Sequence, residues 1–262
     1  DGEAQIETRL QQIVEVREQL ARRGTALIVA LVPAKASVYA EHVGRQHPDA
    51  VHEGLYERAL GGLRARGLVA ADLQSALLAC KQRSAVFLRT DTHWTPDGAR
   101  CAAQAIAAQV NQSGLATQRP QEFVGRREAE RDHSGDLINF LPLAPHFAGL
   151  LPAFDRLAPT HTDATAAVDL LGDAAAAEVA LVGTSYSADP LWNFDGALRE
   201  SLHEDVLNLA ESGHGPFKPM EAYLRDSNSP RPRVLIWEIP VRYLPMEDAP
   251  AATRKPSNGE TT

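Results

Sequence analysis

The chain has 262 residues, of which 44% are hydrophobic and 23% are charged, and a formal net charge of −8 at pH 7. This length allows one large core or two small ones, and no apolar run is long enough to span a bilayer. The negative charge and the lack of a lysine- and arginine-rich block argue against a nucleic-acid binder and against binding to anionic membranes.

Helical patterns recur along the chain. An amphipathic helix leads the sequence and stops at Gly24. The segment that begins at Thr95 has the clearest start, because its hydroxyl can cap a helix and Pro96 suits the first turn. The predicted helical segments are 3–23, 49–66, 72–82, 95–114 and a helix within 217–226.

Continuous apolar runs lie between these helical segments. Runs such as TALIVALVPA are rich in β-branched residues and do not alternate, which is typical of strands buried on both faces of a sheet. Their alternation with helices predicts an α/β fold, with a doubly wound, mainly parallel sheet and helices on both faces. The segments that contain the predicted strands are 25–34, 84–89, 177–187, 204–210 and 232–240, and in 177–187 the strand ends before Gly183.

Two stretches depart from this alternation. Residues 115–176 contain prolines, several histidines and few periodic runs, which predicts an irregular insertion or lid. Residues 246–262 are polar and proline-rich without an apolar period, which predicts a disordered tail. We therefore predict a single domain over residues 1–245.

The two cysteines, Cys80 and Cys101, have no spacing that fits a zinc knuckle. Buried free thiols are the expectation, and a single disulfide is the alternative that an oxidising compartment would permit. Sequence separation says nothing about the distance between the two alpha carbons, so both interpretations stay open.

Polar residues follow two of the predicted strands at their carboxyl ends, where sheets of this kind bind ligands. Asp91 and His93 come after strand 84–89, two positions apart, so their side chains are expected to point the same way. Ser185 follows Gly183 after another strand. A glycine permits a sharp bend that exposes the serine hydroxyl and its backbone N–H.

A serine is a poor nucleophile unless a base accepts its proton and a carboxylate orients that base. Ser185, His93 and Asp91 supply these three groups. Each motif alone also fits a structural role, GTS as a turn or helix cap and DTH as an Asx-type turn. Their joint occurrence at one edge of the predicted sheet favours a catalytic triad.

Two motifs resemble a known family. GTSYS (183–187) resembles the Gly-Asp-Ser-x-Ser block of SGNH hydrolases, and DTHW with WTPDGA resembles the Asp/His block of the AlgJ and AlgX type polysaccharide O-acetyltransferases. As in that group, the Asp/His block precedes the serine block and is one residue shorter than in ordinary SGNH enzymes. Further segments that fit are LVPAKASVYAEHVG (31–44), HSGDL (133–137), GHGPF (213–217) and VLIWEIPVRYL (234–244).

The resemblance spans most of residues 20–245 and is closest to the shorter AlgJ type. It implies a three-layer, SGNH-like (flavodoxin-like) fold with a circularly permuted motif order. It further implies Ser185 as the nucleophile that accepts the acyl group and His93 as general base and then acid. Asp91 would be the residue that orients His93.

The resemblance also implies an oxyanion hole, formed by the Ser185 N–H and by a glycine N–H of the SGHG turn, Gly213 or Gly215. The asparagine block that completes this hole in ordinary SGNH enzymes is not recognisable in the sequence. Asn193 and Tyr186 are the candidate substitutes.

Three further residues are candidates for substrate binding. Trp94 and Trp192 flank the two motifs and could form a sugar-stacking surface, although aromatic residues beside strand ends also serve in core packing. Arg242, just beyond the last strand, could bind an anionic sugar or form an ion pair with Glu238.

A metal site is the competing interpretation of the Asp/His motif. His133 and Asp136 could join Asp91 and His93 as ligands. The serine triad already accounts for Asp91 and His93, so no metal and no other cofactor is predicted.

The resemblance implies an O-acetyltransferase in exopolysaccharide acetylation, with alginate as the expected polymer, an acetyl-serine intermediate and acetylesterase side activity. One alternative is an SGNH-type acetylesterase, in which water discharges the acyl-enzyme. Another is a non-catalytic scaffold of a polysaccharide secretion complex.

The resemblance also implies partners and a location. The acetyl donor would be supplied by a membrane-bound O-acyltransferase, and other polysaccharide acetylation proteins would take part. A polysaccharide acceptor would bind weakly, because the acidic chain repels a uronate polymer. The expected location is the periplasm, with attachment to the inner membrane through a segment that precedes residue 1.

Overall fold

The computed structural model of this protein describes residues 2–44, 51–143, 145–165 and 177–247. The predicted tail falls on residues 248–262 for all but its first two positions, and these lie outside the described ranges. Within the described ranges, no helix combines the length and the apolar character that crossing a membrane requires.

In the part of the chain that the structure describes, five parallel strands form the central sheet, and two antiparallel pairs lie outside it. The strands are β1 (Ala26–Val32), β2 (Val69–Ala70), β3 (Phe123–Arg127), β4 (Arg131–His133), β5 (Asp155–Leu157), β6 (Thr160–Ala164), β7 (Val179–Val182), β8 (Val206–Asn208) and β9 (Val234–Pro240). The central sheet has the order β2-β1-β9-β7-β8. Its parallel register confirms the predicted doubly wound arrangement.

Helices cover both faces of this sheet and complete a three-layer α/β fold. The helices are α1 (Gly2–Arg22), α2 (Lys35–Val38), α3 (Leu55–Ala65), α4 (Leu73–Lys81), α5 (Pro96–Gln112), α6 (Ser185–Ala188), α7 (Phe194–Leu202) and α8 (Phe217–Arg225). On one face α4, α5 and α7 pack through residues such as Leu77 and Ile106. On the other face α1, α3 and α8 pack through residues such as Leu20 and Met220.

Residues 84–89 are not a strand of the sheet, contrary to the prediction. Phe87 forms an isolated bridge with Trp94, because the chain turns back on itself between α4 and α5. Val86, Phe87 and Leu88 are buried there, so this apolar run fills the core without entering the sheet. The edge strand beside β1 is instead β2. It is only two residues long, so no apolar pattern in the sequence could predict it.

Cys80 and Cys101 form a disulfide, so the expectation of free thiols is wrong. Cys80 lies in the last turn of α4 and Cys101 lies in the second turn of α5. These helices pack side by side, which brings the two alpha carbons to 6.5 Å. The bond closes the chain segment that carries Asp91 and His93.

The segment 115–176 is more regular than predicted where the structure describes it. β3 pairs with β6 and β4 pairs with β5, both antiparallel. Short 3₁₀ helices at Asp136–Phe140 and Ala148–Leu150 lie between β4 and β5. Residues 144 and 166–176 fall outside the described ranges. A lid role for this segment stays a prediction.

Candidate active site

Ser185 begins the short helix α6, three residues after the end of β7. Thr184 caps this helix, and its hydroxyl accepts a hydrogen bond from the Tyr186 N–H at 3.3 Å. Gly183 leaves no space for a side chain, because a Cβ there would lie 2.5 Å from a carboxyl oxygen of Glu238. Close packing, rather than an unusual backbone angle, therefore requires this glycine.

Glu238 lies on β9 beside this turn and is fully buried. The Thr184 N–H donates to Glu238 Oε2 at 2.7 Å, and the hydroxyls of Thr184 and Ser187 each lie 3.0 Å from the same oxygen. Burial raises the pKa of Glu238, although the hydrogen bonds from Thr184 and Ser187 oppose the rise. The carboxyl group thus fixes residues on both sides of Ser185.

Asp91 and His93 lie in a tight loop between α4 and α5 rather than at the end of a strand. The Asp91 carboxylate accepts the His93 backbone N–H at 2.9 Å, which is an Asx-type turn. Lys35 Nζ donates to the carbonyls of Arg89 and Asp91 at 2.8 and 3.0 Å. Asp155 of β5 accepts two further backbone N–H groups of this loop. Neighbouring elements therefore hold the loop in place.

This loop brings His93 against Ser185, which lies 92 positions later in the chain. His93 Nε2 is 2.7 Å from Ser185 Oγ, and His93 Nδ1 is 2.6 Å from Asp91 Oδ1. Both are hydrogen-bonding distances. When Nδ1 carries the proton and donates to the carboxylate, Nε2 is the acceptor that faces the serine hydroxyl.

Asp91 is buried, and both of its oxygens are engaged. His93 contacts Oδ1, while His133 Nε2 and the Asp136 N–H lie 2.8 and 3.2 Å from Oδ2. Burial by itself raises the pKa of Asp91, but the hydrogen bonds from His93 and His133 outweigh it and hold the pKa well below its usual range. The carboxylate is therefore ionised at neutral pH.

Trp94 and Trp192 do not form a sugar-stacking surface, because they are only 0% and 2% exposed. Trp94 Nε1 donates to the Tyr186 carbonyl at 3.1 Å, and the two rings pack edge to face. Trp192 Nε1 donates to the Ser185 carbonyl at 3.1 Å, and its ring stacks on His93 with the centroids 5.1 Å apart. Both tryptophans support the site from within the core.

Tyr186 and Asn193, the predicted substitutes in the oxyanion hole, have other partners. The Tyr186 hydroxyl donates to the Thr92 carbonyl at 2.7 Å, and burial raises the pKa of this tyrosine. Asn193 Nδ2 donates to Thr162 Oγ1 at 2.9 Å, at the start of α7. Both side chains link neighbouring segments, and these contacts do not support an oxyanion role for either.

Gly213 and Gly215 lie in a turn with positive φ values of 82° and 67°. They line a cavity of about 240 Å³ together with Phe217 and other residues. The Glu211 N–H donates to the Gly183 carbonyl at 3.1 Å, which anchors this turn beside the strand that precedes Ser185. The oxyanion role of either glycine stays a prediction.

Arg242 is half-buried and follows β9. Its guanidinium carbon lies 5.6 Å from the centre of the Tyr186 ring and 5.0 Å from that of Tyr243. Its positive charge acts on Glu238 and partly offsets the rise in the pKa of that carboxyl group. Binding of an anionic sugar by Arg242 stays a prediction.

Asp91, His93 and Asp136 can bring ligand atoms within 4.8 Å of one another, which is the geometry of the competing metal interpretation. Each of these residues already has a partner, since His93 meets Ser185 and Asp136 Oδ1 accepts the Thr92 N–H at 2.7 Å. Donors and acceptors thus alternate through the cluster. This pattern suits a chain of hydrogen bonds better than lone pairs that converge on a cation.

Three residues support the site in ways that the sequence analysis did not predict. The sequence does not indicate that Lys35 anchors the loop, because Lys35 contacts backbone carbonyls, which every residue has. Glu238 did give a signal, since a charged residue in an otherwise apolar buried strand needs polar partners. His133 was considered only as a metal ligand, whereas the structure makes it a partner of Asp91.

Comparison with known families covers nearly the whole chain. The family model described as SGNH hydrolase-like domain, acetyltransferase AlgX, matches residues 1–241. The chain belongs to this family. The match confirms the resemblance drawn from the serine and Asp/His motifs, and the described fold agrees with it.

Similar proteins of the AlgJ and AlgX types extend this family assignment. The probable alginate O-acetylase AlgJ of Pseudomonas aeruginosa is 44% identical over 254 residues, which cover 92% of this chain and 65% of that protein. The structure of the O-acetyltransferase domain of Pseudomonas putida AlgJ matches with a TM-score of 0.87 and 43% identity, over 95% of this chain and 86% of that one. Pseudomonas aeruginosa AlgX matches with a TM-score of 0.72 and 26% identity, over 91% and 57%. The chain spans 60% to 66% of the length of the AlgJ relatives.

Proposed function

We propose that this protein is an O-acetyltransferase that acetylates an exopolysaccharide, with alginate as the polymer, through an acetyl ester on Ser185. The observation that carries the proposal is the continuous hydrogen-bonded series from Ser185 Oγ through His93 to Asp91, with distances of 2.7 and 2.6 Å. The names of the AlgJ relatives, probable alginate O-acetylases, support the choice of acyl group and polymer.

In the first half-reaction, Ser185 Oγ attacks the carbonyl carbon of the acetyl donor while His93 Nε2 accepts the hydroxyl proton. Asp91 is ionised and stabilises the resulting imidazolium through Nδ1. The bond between the acetyl carbon and the donor oxygen then breaks, and the leaving group takes the proton from His93. Acetyl-Ser185 remains.

In the second half-reaction, a hydroxyl of the polysaccharide gives its proton to His93 Nε2 and attacks the acetyl carbon. The new ester forms on the sugar, the Ser185 ester bond breaks, and Ser185 Oγ recovers the proton from His93. Each half-reaction passes through a tetrahedral intermediate in which the former carbonyl oxygen of the acetyl group carries a negative charge. This oxygen needs hydrogen-bond donors. The Ser185 N–H and the N–H of Gly213 or Gly215 are the donors we propose.

Two alternatives use the same fold in other ways. In an acetylesterase, water replaces the sugar hydroxyl in the second half-reaction. In a non-catalytic scaffold, the Ser185–His93 contact would have no chemical role. His93 contacts the Asp91 carboxylate through Nδ1 and the Ser185 hydroxyl through Nε2. This arrangement favours an enzyme over a scaffold, because a histidine with a purely structural role needs no serine hydroxyl at Nε2.

The proposed setting is the periplasm, with attachment to the inner membrane. A membrane-bound O-acyltransferase would supply the acetyl group, and other polysaccharide acetylation proteins would complete the pathway. The similarity to AlgX proteins of alginate biosynthesis supports a system with several components. The whole setting rests on relatives that are longer than this chain.

Intact-mass spectrometry after exposure to p-nitrophenyl acetate tests the first half-reaction. We expect wild-type protein to gain one acetyl group, and peptide mapping to place it on Ser185. Ser185→Ala should lose the adduct and at least about 10³-fold of the esterase rate. Ser227→Ala is the matched control, because Ser227 is exposed before the amino end of β9, away from the site.

Addition of mannuronate oligosaccharides separates transferase from esterase. Acetylated sugar, detected by mass spectrometry at the expense of free acetate, supports the transferase. Free acetate at a rate indifferent to the sugar supports the esterase. An adduct that survives unchanged in Ser185→Ala would contradict both and favour the scaffold.

A further inference from the structure

We propose that His133 is a positioning residue for the general base, which acts through Asp91 and sets the basicity of His93. The inference rests on the proposed function, since it assigns a role within the same site. The sequence offered His133 only as a metal ligand, and none of the triad chemistry above uses it.

His133 lies on β4 with its side chain 19% exposed. Its Nε2 is 2.8 Å from Asp91 Oδ2, on the side of the carboxylate opposite His93. A second contact fixes the ring plane, because His133 packs edge-on against Trp192, whose face stacks on His93. The two histidines therefore share one carboxylate and one aromatic support.

The backbone around His133 is built to hold this contact. A Cβ at Gly135 would lie 2.0 Å from the Thr90 carbonyl oxygen, so this glycine permits the turn after β4 to lie directly on the Asp91 loop. The Gly135 N–H donates to Thr90 Oγ1 at 3.2 Å. His133 also pairs in register with Asp155, which accepts hydrogen bonds from the same loop.

Charged and titratable side chains surround Asp91 from several neighbouring elements. Lys35 at the start of α2 donates to its backbone carbonyl, and Asp155 of β5 and Asp136 after β4 lie close by. His93 and His133 face its two oxygens. The two imidazole rings contact the carboxylate itself, and the backbone N–H groups of His93 and Asp136 also donate to it.

His133 is expected to affect His93 because both rings bind the same Asp91 carboxylate and share its electron density. Each donor to Asp91 Oδ2 lowers the electron density that Oδ1 offers to His93 Nδ1–H, so a hydrogen bond from His133 makes the His93–Asp91 pair a weaker base. The same bond fixes the plane of the carboxylate, which keeps His93 Nε2 directed at Ser185 Oγ. Loss of His133 should change both the rate and its pH dependence.

The pH profile of kcat/KM for p-nitrophenyl acetate tests this role. In His133→Leu we expect kcat/KM at its plateau to fall about tenfold, and the midpoint of the acid limb to move about one pH unit higher, because one charge-assisted hydrogen bond is lost. His133→Gln places an amide donor near the position of Nε2, so it should keep a rate and midpoint closer to wild type.

His161→Gln is the matched control, since His161 lies in the same segment but is 73% exposed and faces Asp163.

His133→Asn replaces the leucine variant if the latter does not fold, because its shorter amide does not reach Asp91. Wild-type midpoints in both His133→Leu and His133→Asn would overturn the inference. So would equal losses in the leucine and glutamine variants without a change in midpoint, which indicate a structural role only. Absence of acetyl-Ser185 in the wild-type protein removes the proposed function itself, and the inference with it.

Discussion

Asp91 shows that a structural and a catalytic interpretation of one motif are compatible. Its Oδ1 accepts the His93 backbone N–H, which makes the Asx-type turn, and also faces His93 Nδ1. The turn fixes the separation between the two residues, and thereby presents the ring to Ser185. The sequence raised these interpretations as competitors, whereas one side chain makes the contacts that each of them requires.

Glu238 carries a prediction about stability and pH. Burial raises its folded-state pKa above the usual value of 4.5, so the folded protein holds this proton more tightly than the unfolded chain does. The resulting stabilisation is fully present below the unfolded pKa and is lost as the pH rises through the folded pKa. Relative to Glu238→Gln, the wild-type free energy of unfolding should therefore fall with rising pH, by at most about 1.4 kcal/mol per pH unit.

Urea unfolding at several pH values between 4.5 and 8 measures this difference. Glutamine cannot titrate, and it keeps an acceptor for the Thr184 N–H, so the variant should retain its fold. Glu221→Gln on α8 is the control, because that side chain is 47% exposed and pairs with Arg225. Parallel curves for wild type and Glu238→Gln would show that the buried carboxyl group does not titrate differently on folding.

At the scale of elements, the sequence predicted four of the five described strands of the central sheet. Apolar runs indicated β1, β7, β8 and β9, and the structure contains all four. Residues 84–89 have the same composition, but they turn back toward Trp94 instead of pairing in the sheet. An apolar pattern in the sequence indicates that a segment is buried, but it does not indicate the hydrogen-bond partners of the segment. It therefore cannot distinguish a strand of the sheet from a buried loop.

The site was predictable to a similar degree. The residue types and the glycine before Ser185 indicated the three groups that the structure brings together. Their catalytic roles stay predictions. The contact of His133 with Asp91 was not predictable, because it depends on how β4 pairs with β5 and returns to the loop. For Trp94 and Trp192 the sequence left sugar stacking and core packing open, because the burial of a side chain depends on tertiary packing; the structure shows core packing.

The disulfide between α4 and α5 should stabilise the fold more than it assists the chemistry. It closes a loop with a sequence separation of 21, for which chain entropy gives about 3 kcal/mol of stabilisation. We expect Cys80→Ser with Cys101→Ser to lower the free energy of unfolding by about this amount. The esterase rate at 25 °C should stay within about threefold of wild type, because Lys35 and Asp155 also hold the loop.

Denaturant unfolding with and without dithiothreitol provides the measurement. The reductant should destabilise the wild-type protein and leave the double variant unaffected. A large loss of esterase rate in a variant that remains folded would mean that the covalent bond, rather than the hydrogen bonds of the loop, sets the position of His93.

At the scale of the whole molecule, the two faces of the sheet have different tasks. The α1, α3 and α8 side is a core of aliphatic and aromatic residues that packs behind β1 and β9. The α4, α5 and α7 side includes Trp94, Tyr186 and Trp192, which lie directly beneath His93 and Ser185. Rigid support of the site therefore comes from the same packed layer that stabilises the fold.

The net charge of −8 gives a prediction about acceptors. A polyuronate is itself an anion, so long-range repulsion should slow its approach, and added salt should screen that repulsion. We expect the rate of acetyl transfer to mannuronate oligosaccharides to rise about two- to fivefold between 20 and 200 mM NaCl. Transfer to a neutral oligosaccharide of equal length, and hydrolysis of p-nitrophenyl acetate, should change little over the same range. A rate that falls with salt for the uronate alone would instead show that local cations, with Arg242 as the first candidate, guide the acceptor against the overall field.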